Sequence, residues 1–185
     1  VKRVRDVVQT FARINAEVPS VLFMVGDGPD RVEAEQEARA LDVQRSVHFL
    51  GKLEAVAPLL AGADLFLLPS ASESFGLSAL EALACGVPVV ASTAGGIGEV
   101  VRDGETGALC PVGDVDGMAA AGVGILREAE RWRAMSAAAA ADARARFSQD
   151  AVVSRYEDLY ARTAVKRPRP GRAPAGGAGA PAGAG

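Results

Sequence analysis

Residues 64–91 read DLFLLPSASESFGLSALEALACGVPVVA and contain a complete strand–helix–strand unit. The apolar runs at 64–68 and 87–91 have the length of buried strands, and the segment 77–85 between them has apolar residues at helical spacing. Gly86 follows the helix, as is typical of a C-terminal cap. Strands that are apolar throughout and joined by a helix are typical of a parallel sheet that is covered on both faces.

The same alternation of helices and strands extends on both sides of this unit. The predicted elements are helices over 3–17, 29–41, 53–61 and 76–85, a short helix opening at 95–96, strands over 20–25, 46–50, 64–68, 87–91 and 106–110, and final helices over 114–129, 130–146 and 149–163. The predicted fold class is α/β, a doubly wound, Rossmann-like parallel sheet that binds ligands at the carboxyl ends of its strands. Because glycines follow several of these strands, we expect the glycine-rich turns to gather on one rim.

Composition limits the partners of the chain. The 185 residues include 23 acidic and 20 basic side chains, a balance that favours neither nucleic acid nor a charged membrane surface. No apolar run approaches the roughly 20 residues that cross a bilayer, and no signal-like leader opens the chain, so we predict a cytoplasmic protein without a membrane span. Cys85 and Cys110 are typical of buried thiols in a reducing compartment. Nothing in the composition indicates an oligomeric state.

The two ends of the chain differ in character. Residues 1–165 hold every predicted helix and strand, and the helical pattern starts at once at Val1, so we expect a fragment of a longer protein. Residues 166–185 are mostly proline, glycine and alanine. Such a composition cannot bury enough apolar surface to offset its ordering entropy, and we expect a disordered tail.

Two carboxylates lie eight residues apart where the loop after the third strand enters the next helix. Glu73 precedes Gly76, where the backbone can bend, and Glu81 falls inside the helix. Because this helix is apolar on nearly every face, we expect Glu81 to be buried and to need hydrogen-bond donors, for which a pair of sugar hydroxyls is suitable. A backbone amide or an arginine is the alternative partner for Glu81. The alternative for Glu73 is a helix-entry acid stabilised by the helix dipole.

Other site chemistries have little support in the sequence. His48 is the single histidine and lies within a predicted strand, which argues against a catalytic triad and against a histidine-based metal site. The turn Gly26-Asp27-Gly28 is not a complete dinucleotide fingerprint, so NAD binding is not expected. A phospho-receiver module would need an acidic cluster after the first strand and an aspartate after the third, and the predicted strands lack this arrangement.

The ordered set of motifs resembles the carboxyl-terminal, donor-binding domain of the retaining glycosyltransferases of family 4. The resemblance covers about residues 1–163, and its matching segments are 25–29, 47–51, 64–69, 73–81, 84–88, 95–99, 103–107 and 111–114. It implies one Rossmann-like half of a GT-B fold, in which the first strand of a 3-2-1-4-5-6 sheet lies upstream of Val1. It also places Gly98 where the family usually has proline, a change that should loosen the short helix there.

The resemblance implies roles for individual residues. Glu81 would bind the ribose hydroxyls of a sugar nucleotide, Glu73 would hydrogen-bond the transferred sugar, and Lys2 would neutralise the charge that develops on the departing diphosphate. The usual arginine partner of Lys2 would lie upstream of this chain. Further donor contacts would come from Ser74, Phe75, Gly76 and Leu77 at the helix start, from Lys52 and Leu53 near the nucleobase, and from Gly26 in the first turn.

The implied reaction is retaining transfer of N-acetylglucosamine from UDP-N-acetylglucosamine to L-malate, as in bacillithiol biosynthesis. The amino-terminal domain, which is expected to be missing, would bind this acceptor. No cofactor is implied, and Mg²⁺ is possible but not required. The alternatives are another hexosyltransferase of the same family, with a different donor or acceptor, and a non-catalytic nucleotide-sugar-binding module. The isolated fragment is expected to be inactive.

Overall fold

The computed structural model describes residues 2–164, and its elements follow the predicted order. They are α1 (Val4–Glu17), β1 (Leu22–Val25), α2 (Arg31–Ala40), β2 (Val47–Gly51), α3 (Ala57–Leu60), β3 (Phe66–Leu68), α4 (Leu77–Ala84), β4 (Val89–Ser92), α5 (Ile97–Val100), β5 (Gly107–Cys110), α6 (Val115–Arg127), α7 (Ala129–Phe147) and α8 (Gln149–Ala164). The chain divides into two compact units, and the boundary between them along the sequence lies between Ser148 and Gln149. The predicted tail at 166–185 lies outside the described residues.

Every pair of neighbouring strands is parallel, as predicted, but the strands form two sheets and not one. The first sheet pairs β1 with β2, and the second has the order β3-β4-β5. The predicted doubly wound parallel arrangement is confirmed, and within residues 2–164 neither β1 nor β3 has a partner on its other edge. In a 3-2-1-4-5-6 order, this break falls where the strand expected upstream of Val1 would lie.

Helix α1 connects the two sheets through its buried side chains. Val8 and Phe11 form a cluster with Leu22 and Met24 of β1, and Leu67 of β3 packs against the same cluster. Ile14, one turn further along α1, also contacts a cluster that includes Leu67. One helix therefore packs against residues of both sheets, and this contact keeps the two sheets in a single compact unit.

The second sheet carries the main core of the domain. Every residue of β4 is buried, as the apolar run at 89–91 predicts, and the buried strand also includes the polar Ser92. Helix α4 contributes Ala79, Ala82 and Leu83 to the same core, and α7 contributes Ala139. Fully burying side chains of leucine or valine size contributes about 1.5–3 kcal/mol each, so this sheet is the main source of stability in the first unit.

The first sheet is covered on one face only. Along β1, Leu22 and Met24 pack under α1 and α2, while Phe23 and Val25 are exposed. The exposed Phe23 ring stacks on His48 of β2, with 5.4 Å between the ring centroids. The expectation that every strand is covered on both faces is therefore wrong for β1, since no element among the described residues packs over Phe23 and Val25.

Helix α8 is a 16-residue helix in the second compact unit. Its exposed apolar residues include Val153, Tyr156 and Tyr160, which recur at the spacing of a single helical face. Within the described part of the chain, no helix is both long enough and apolar enough to span a membrane.

Candidate functional site

The loop after β3 is the centre of the candidate site. It runs from Pro69 to Gly76, whose φ of +92° lies in the left-handed region that glycine adopts without strain, and α4 begins at the next residue. Ser92, the last residue of β4, holds the start of this loop because its hydroxyl donates to the Ser70 carbonyl oxygen. Neither Ser70 nor Ser92 was predicted from the sequence, although a small polar residue at or just after the end of a strand was a usable signal.

A second segment, after β4, forms the opposite wall of the site. The Gly96 amide donates to the Glu73 carbonyl oxygen at 3.0 Å, so the two walls are joined through their backbones. A Cβ atom at Gly95 would collide with that same carbonyl oxygen, and one at Gly96 would lie 2.5 Å from the Ser74 carbonyl oxygen. Both glycines are therefore required by close backbone approach. We name the two segments, 69–76 and 94–97, the paired walls.

The structure brings Glu73 and Lys2 together at this site. Lys2 Nζ lies 2.8 Å from Glu73 Oε2, and the Ser70 hydroxyl lies 3.4 Å from the same oxygen. The Glu73 side chain is only 15% exposed, whereas that of Lys2 is 60% exposed. The partly buried carboxylate of Glu73 thus has a solvated ammonium group as its partner. An anionic ligand could replace Glu73 as the partner of Lys2, and a ligand hydroxyl could replace Lys2 as the partner of Glu73.

Glu81 lies on the solvent side of α4, and the expectation that it is buried is wrong. Helix α4 buries Ala79, Ala82 and Leu83, while Leu77, Glu81 and Ala84 recur on the exposed face. The helix looked apolar all round because leucine and alanine also occupy this exposed face. Among the described residues the Glu81 side chain has no hydrogen-bond or ion-pair partner, so the carboxylate is free to bind a ligand. Its binding to ribose stays a prediction.

The start of α4 presents backbone donors beside Glu73. Within residues 2–164 the amides of 74–77 donate no hydrogen bond to another protein group. Unpaired amides at a helix start can bind a phosphate or a sugar oxygen. Ser74 and Leu77 are exposed, while Gly76 is buried against Ile97. The Phe75 ring packs edge-to-face on Phe147 with 5.8 Å between centroids, so the side chain of Phe75 belongs to the core and only its backbone can reach a ligand.

The predicted nucleobase contacts lie at the end of the first sheet. The Gly26 amide donates to the Gly51 carbonyl oxygen at 2.8 Å, which joins the turns after β1 and β2. Lys52 and Leu53 follow and are exposed. No hydrogen bond or ion pair in the described part of the chain connects this open rim, which we define as 26–28 and 51–53, with Glu73. The structure therefore does not by itself unite the two groups of predicted residues.

Arg3 is an additional charged residue near the site. It has a left-handed φ of +49° and lies beside the start of α1, where its Nε donates to the buried Asp6 carboxylate at 2.6 Å. Its guanidinium also lies against the loop after β5, because a Cβ added to Gly113 would be 3.4 Å from Arg3 Nη2. These contacts fix the backbone next to Lys2, a role that the sequence pattern did not indicate.

The electrostatics at the end of β5 give no evidence for a nucleophile. Burial raises the pKa of the Cys110 thiol, and the nearby carboxylates of Asp114 and Asp103 raise it further. The thiol therefore stays protonated near neutral pH and is a weak nucleophile. Residues 2–164 contain no cluster of three or more histidine, cysteine, aspartate or glutamate side chains arranged to hold a metal ion.

Comparison with known proteins identifies the family. The model of the family "Glycosyl transferases group 1" matches residues 1–128, which is more than half of the chain. The chain belongs to the glycosyl transferases group 1 family. Its fold is the Rossmann-like α/β arrangement of the GT-B glycosyltransferases, and HepE of Anabaena in complex with UDP is a similar solved structure, with a TM-score of 0.75 and 27% identity over 85% of this chain and 44% of that one.

Two curated proteins are similar to this chain in sequence. The chain is 47% identical to N-acetyl-alpha-D-glucosaminyl L-malate synthase of Bacillus anthracis over 86% of its own length and 42% of that protein. It is 44% identical to D-inositol 3-phosphate glycosyltransferase of Mycobacterium avium over 75% of its length and 34% of that protein. The chain thus spans less than half the length of these curated members of the glycosyl transferases group 1 family.

Proposed function

We propose that this chain is the donor-binding half of a family 4 retaining glycosyltransferase that transfers N-acetylglucosamine from UDP-N-acetylglucosamine to L-malate, the bacillithiol pathway reaction. The observation that carries the proposal is the 47% identity to an N-acetyl-alpha-D-glucosaminyl L-malate synthase over 86% of the chain. The UDP complex of the similar HepE structure supports a UDP-sugar donor. The contact between Lys2 and Glu73 beside unpaired amides gives such a donor a chemically suitable place.

The donor would lie along the paired walls. The unpaired amides of 74–77 would hold the diphosphate or sugar oxygens, and Glu73 would accept hydrogen bonds from the transferred sugar. Glu81, exposed on α4 and without a protein partner, would accept from both ribose hydroxyls. Gly26, Lys52 and Leu53 would contribute contacts to the nucleotide from the open rim, mainly through backbone groups.

Binding of the donor would replace the ion pair between Lys2 and Glu73. The ammonium group would move from the carboxylate to the diphosphate, where it stabilises the negative charge of the leaving group. The site offers no obvious protein nucleophile. We therefore infer attack on the same face from which the diphosphate leaves, with the leaving phosphate oxygen taking the proton of the acceptor hydroxyl. Catalysis would then consist of positioning and charge stabilisation.

The acceptor would be bound by a part of the protein that is not in this chain. The chain spans 42% of the length of the malate synthase relative, and an acceptor site in the remaining part would leave the isolated chain inactive. A cytoplasmic location is also part of the proposal, since both cysteines are free thiols, as is typical of a reducing compartment.

Donor binding can be tested on this chain by titration calorimetry with UDP. We expect Glu81→Ala to weaken UDP binding about tenfold or more, because charged hydrogen bonds are worth about 1.5–3 kcal/mol each. Glu105→Ala is a matched control, since Glu105 is also an exposed acid but precedes β5, at the opposite end of the strands. Equal UDP affinity in the Glu81→Ala and original chains would show that the ribose role is wrong.

The acceptor can be tested by extending the gene upstream and analysing the products of the longer protein. We expect a glycoside of L-malate when UDP-N-acetylglucosamine and L-malate are supplied. The similarity to D-inositol 3-phosphate glycosyltransferase makes inositol 3-phosphate the competing acceptor. Transfer to inositol 3-phosphate but not to L-malate would replace the malate proposal with another hexosyltransferase of the same family. Donor binding without transfer to either acceptor would favour a non-catalytic nucleotide-sugar-binding module.

A further inference from the structure

The carboxyl-terminal end of α7 contacts the first of the paired walls directly and the second through helix α5. Arg146 Nη2 donates to the carbonyl oxygen of Glu99 in α5, the helix that follows the second wall. The neighbouring Phe147 packs its ring on Phe75 in the first wall. The two residues are adjacent in sequence, and the Arg146 guanidinium lies 4.6 Å from the centroid of the Phe147 ring. One short segment therefore touches the first wall and the helix that continues the second wall.

The contact at α5 satisfies an otherwise unpaired group. Glu99 lies in the last turn of a four-residue helix, and in the described part of the chain no backbone amide donates to its carbonyl oxygen. Carbonyl oxygens at a helix end need an outside donor, and a cation suits that end of the helix. Arg146 is held in place by Asp142, whose carboxylate is 8% exposed and lies 2.7 Å from Arg146 Nη1.

The two walls also contact each other at the site itself. The Gly96 amide donates to the Glu73 carbonyl oxygen, so the position of Gly96 is linked to the backbone of the carboxylate that meets Lys2. A shift of α5 would lengthen this hydrogen bond. A shift of Phe75 would move the residues that carry the unpaired amides.

We propose that Arg146 and Phe147 are positioning residues, which set the distance between the paired walls and thereby the affinity for the diphosphate of a nucleotide donor. The donor part of this proposal rests on the proposed function. Neither residue is assigned to touch the ligand, because both act through Glu99 and Phe75.

Arg102 supplies a matched control. Its Nη2 lies 3.0 Å from Asp142 Oδ1, so Arg102 and Arg146 are the two cationic partners of the same buried carboxylate. The other side-chain partner of Arg102 is Glu105, outside the paired walls. Arg102→Met and Arg146→Met each remove one cation from Asp142, and only Arg146→Met also removes the donor to the Glu99 carbonyl oxygen.

The first measurement is hydrogen exchange of the Gly96 amide, which needs no ligand. We expect Arg146→Met to accelerate this exchange at least fivefold and Arg102→Met to change it less than twofold, under conditions where circular dichroism shows both variants folded. Arg146→Lys, which keeps the charge and one donor, should restore part of the protection and also serves if Arg146→Met does not fold. Equal acceleration in the Arg102→Met and Arg146→Met variants would assign Arg146 a general structural role and overturn the proposal.

The second measurement is UDP affinity by titration calorimetry. Arg146→Met should bind UDP at least fivefold more weakly than the original chain, with Arg102→Met within twofold. If Gly96 exchange responds as expected but UDP affinity does not change, the walls do not bind the diphosphate and the positioning role is overturned. If the original chain does not bind UDP at all, the proposed function fails, and the exchange measurement still decides whether Arg146 holds the walls together.

Discussion

The two groups of glycine-rich turns use the same residue type for different physical reasons. In the paired walls, Gly95 and Gly96 lie where any side chain would collide with the carbonyl oxygens of Glu73 and Ser74. In the open rim, Cβ atoms at Gly26, Gly28 and Gly51 would meet no atom within 4 Å. Gly95 and Gly96 are thus required by packing. Gly26 and Gly51 of the open rim have a positive φ that favours glycine, and Gly28 has neither constraint.

This difference follows from the sheets that carry the turns. In the second sheet every residue of β4 is buried, and α4 and α7 pack against the same core, so the turns of this sheet lie in close contact. The first sheet has one bare face, and its turns are joined by the hydrogen bond between Gly26 and Gly51. A glycine-rich turn in a sequence therefore does not by itself reveal whether its glycines contact the protein or leave room for a ligand.

The largest effect is expected for Gly95→Ala. The added methyl group would collide with the Glu73 carbonyl oxygen, and the φ of +56° at Gly95 adds backbone strain. We expect the free energy of unfolding in urea to fall by about 3 kcal/mol or more. Gly28→Ala is the control, because its site is open and its φ is not left-handed, and it should be neutral or stabilising by up to about 1 kcal/mol. Equal losses in the two variants would remove the distinction between the turns.

Gly26→Ala separates backbone strain from collision. Its φ of +122° is unfavourable for any side chain, but a Cβ atom there would meet nothing within 4 Å. We expect urea unfolding to show a loss of about 1–2 kcal/mol, between the results for Gly95→Ala and Gly28→Ala. A loss as large as that of Gly95→Ala would mean that the open rim is packed in solution.

Glu73→Gln tests whether the paired walls recognise the sugar. Removal of the charge should weaken UDP-N-acetylglucosamine binding about tenfold relative to UDP binding, because charge-assisted hydrogen bonds to the sugar are lost while Lys2 stays available to the diphosphate of both ligands. Lys52→Gln in the open rim should leave the ratio of the two affinities unaltered, since that region is proposed to act mainly through its backbone. Calorimetry with both ligands measures this ratio, and an equal loss for UDP and the UDP-sugar would contradict the sugar role of Glu73.

The smallest effect is expected for Gly98→Ala in α5. Gly98 is exposed, and a Cβ atom there would meet nothing within 4 Å. Alanine should therefore raise the free energy of unfolding by about 0.5–1 kcal/mol through its higher helix propensity. Gly122→Ala in α6 is the contrasting helical glycine, because its Cβ would lie 2.6 Å from Ile14 Cδ1 and should destabilise the chain. A thermal or urea melt that showed no gain for Gly98→Ala would contradict the expected loosening of α5 by glycine.

The order and type of all the described elements could be predicted because apolar periodicity and glycine or proline boundaries are local properties. The coverage of the first sheet could not. The strand at 20–25 has an apolar sequence that is typical of burial on both faces, yet Phe23 and Val25 are exposed, because coverage depends on which element packs over a strand. The break between β1 and β3 falls where the family resemblance places a strand upstream of Val1, so the resemblance and not the local pattern accounts for it.

The candidate site shows the same division between local and tertiary information. Local pattern placed Glu73, Gly76 and the glycines of 95–96 at the carboxyl ends of their strands, since a glycine-rich turn after a parallel strand must lie on that rim. The predicted burial of Glu81 was wrong, because alanine and leucine occur on both faces of α4 and the sequence does not show which face is buried. The local pattern also missed Arg146, whose importance depends on a contact 47 residues away in sequence.

The amino-acid sequence was therefore enough to predict the α/β class, the rim expected to carry the site and the pair of carboxylates within one motif. These depend on residues near one another along the chain. Only the tertiary structure decided that Lys2 meets Glu73 across 71 residues, that Glu81 faces solvent, and that Gly95 and Gly96 are fixed by carbonyl oxygens of a distant loop. The physical reason is that charge pairing, exposure and close backbone contact depend on distances in space, which separate segments reach only after packing around a common core.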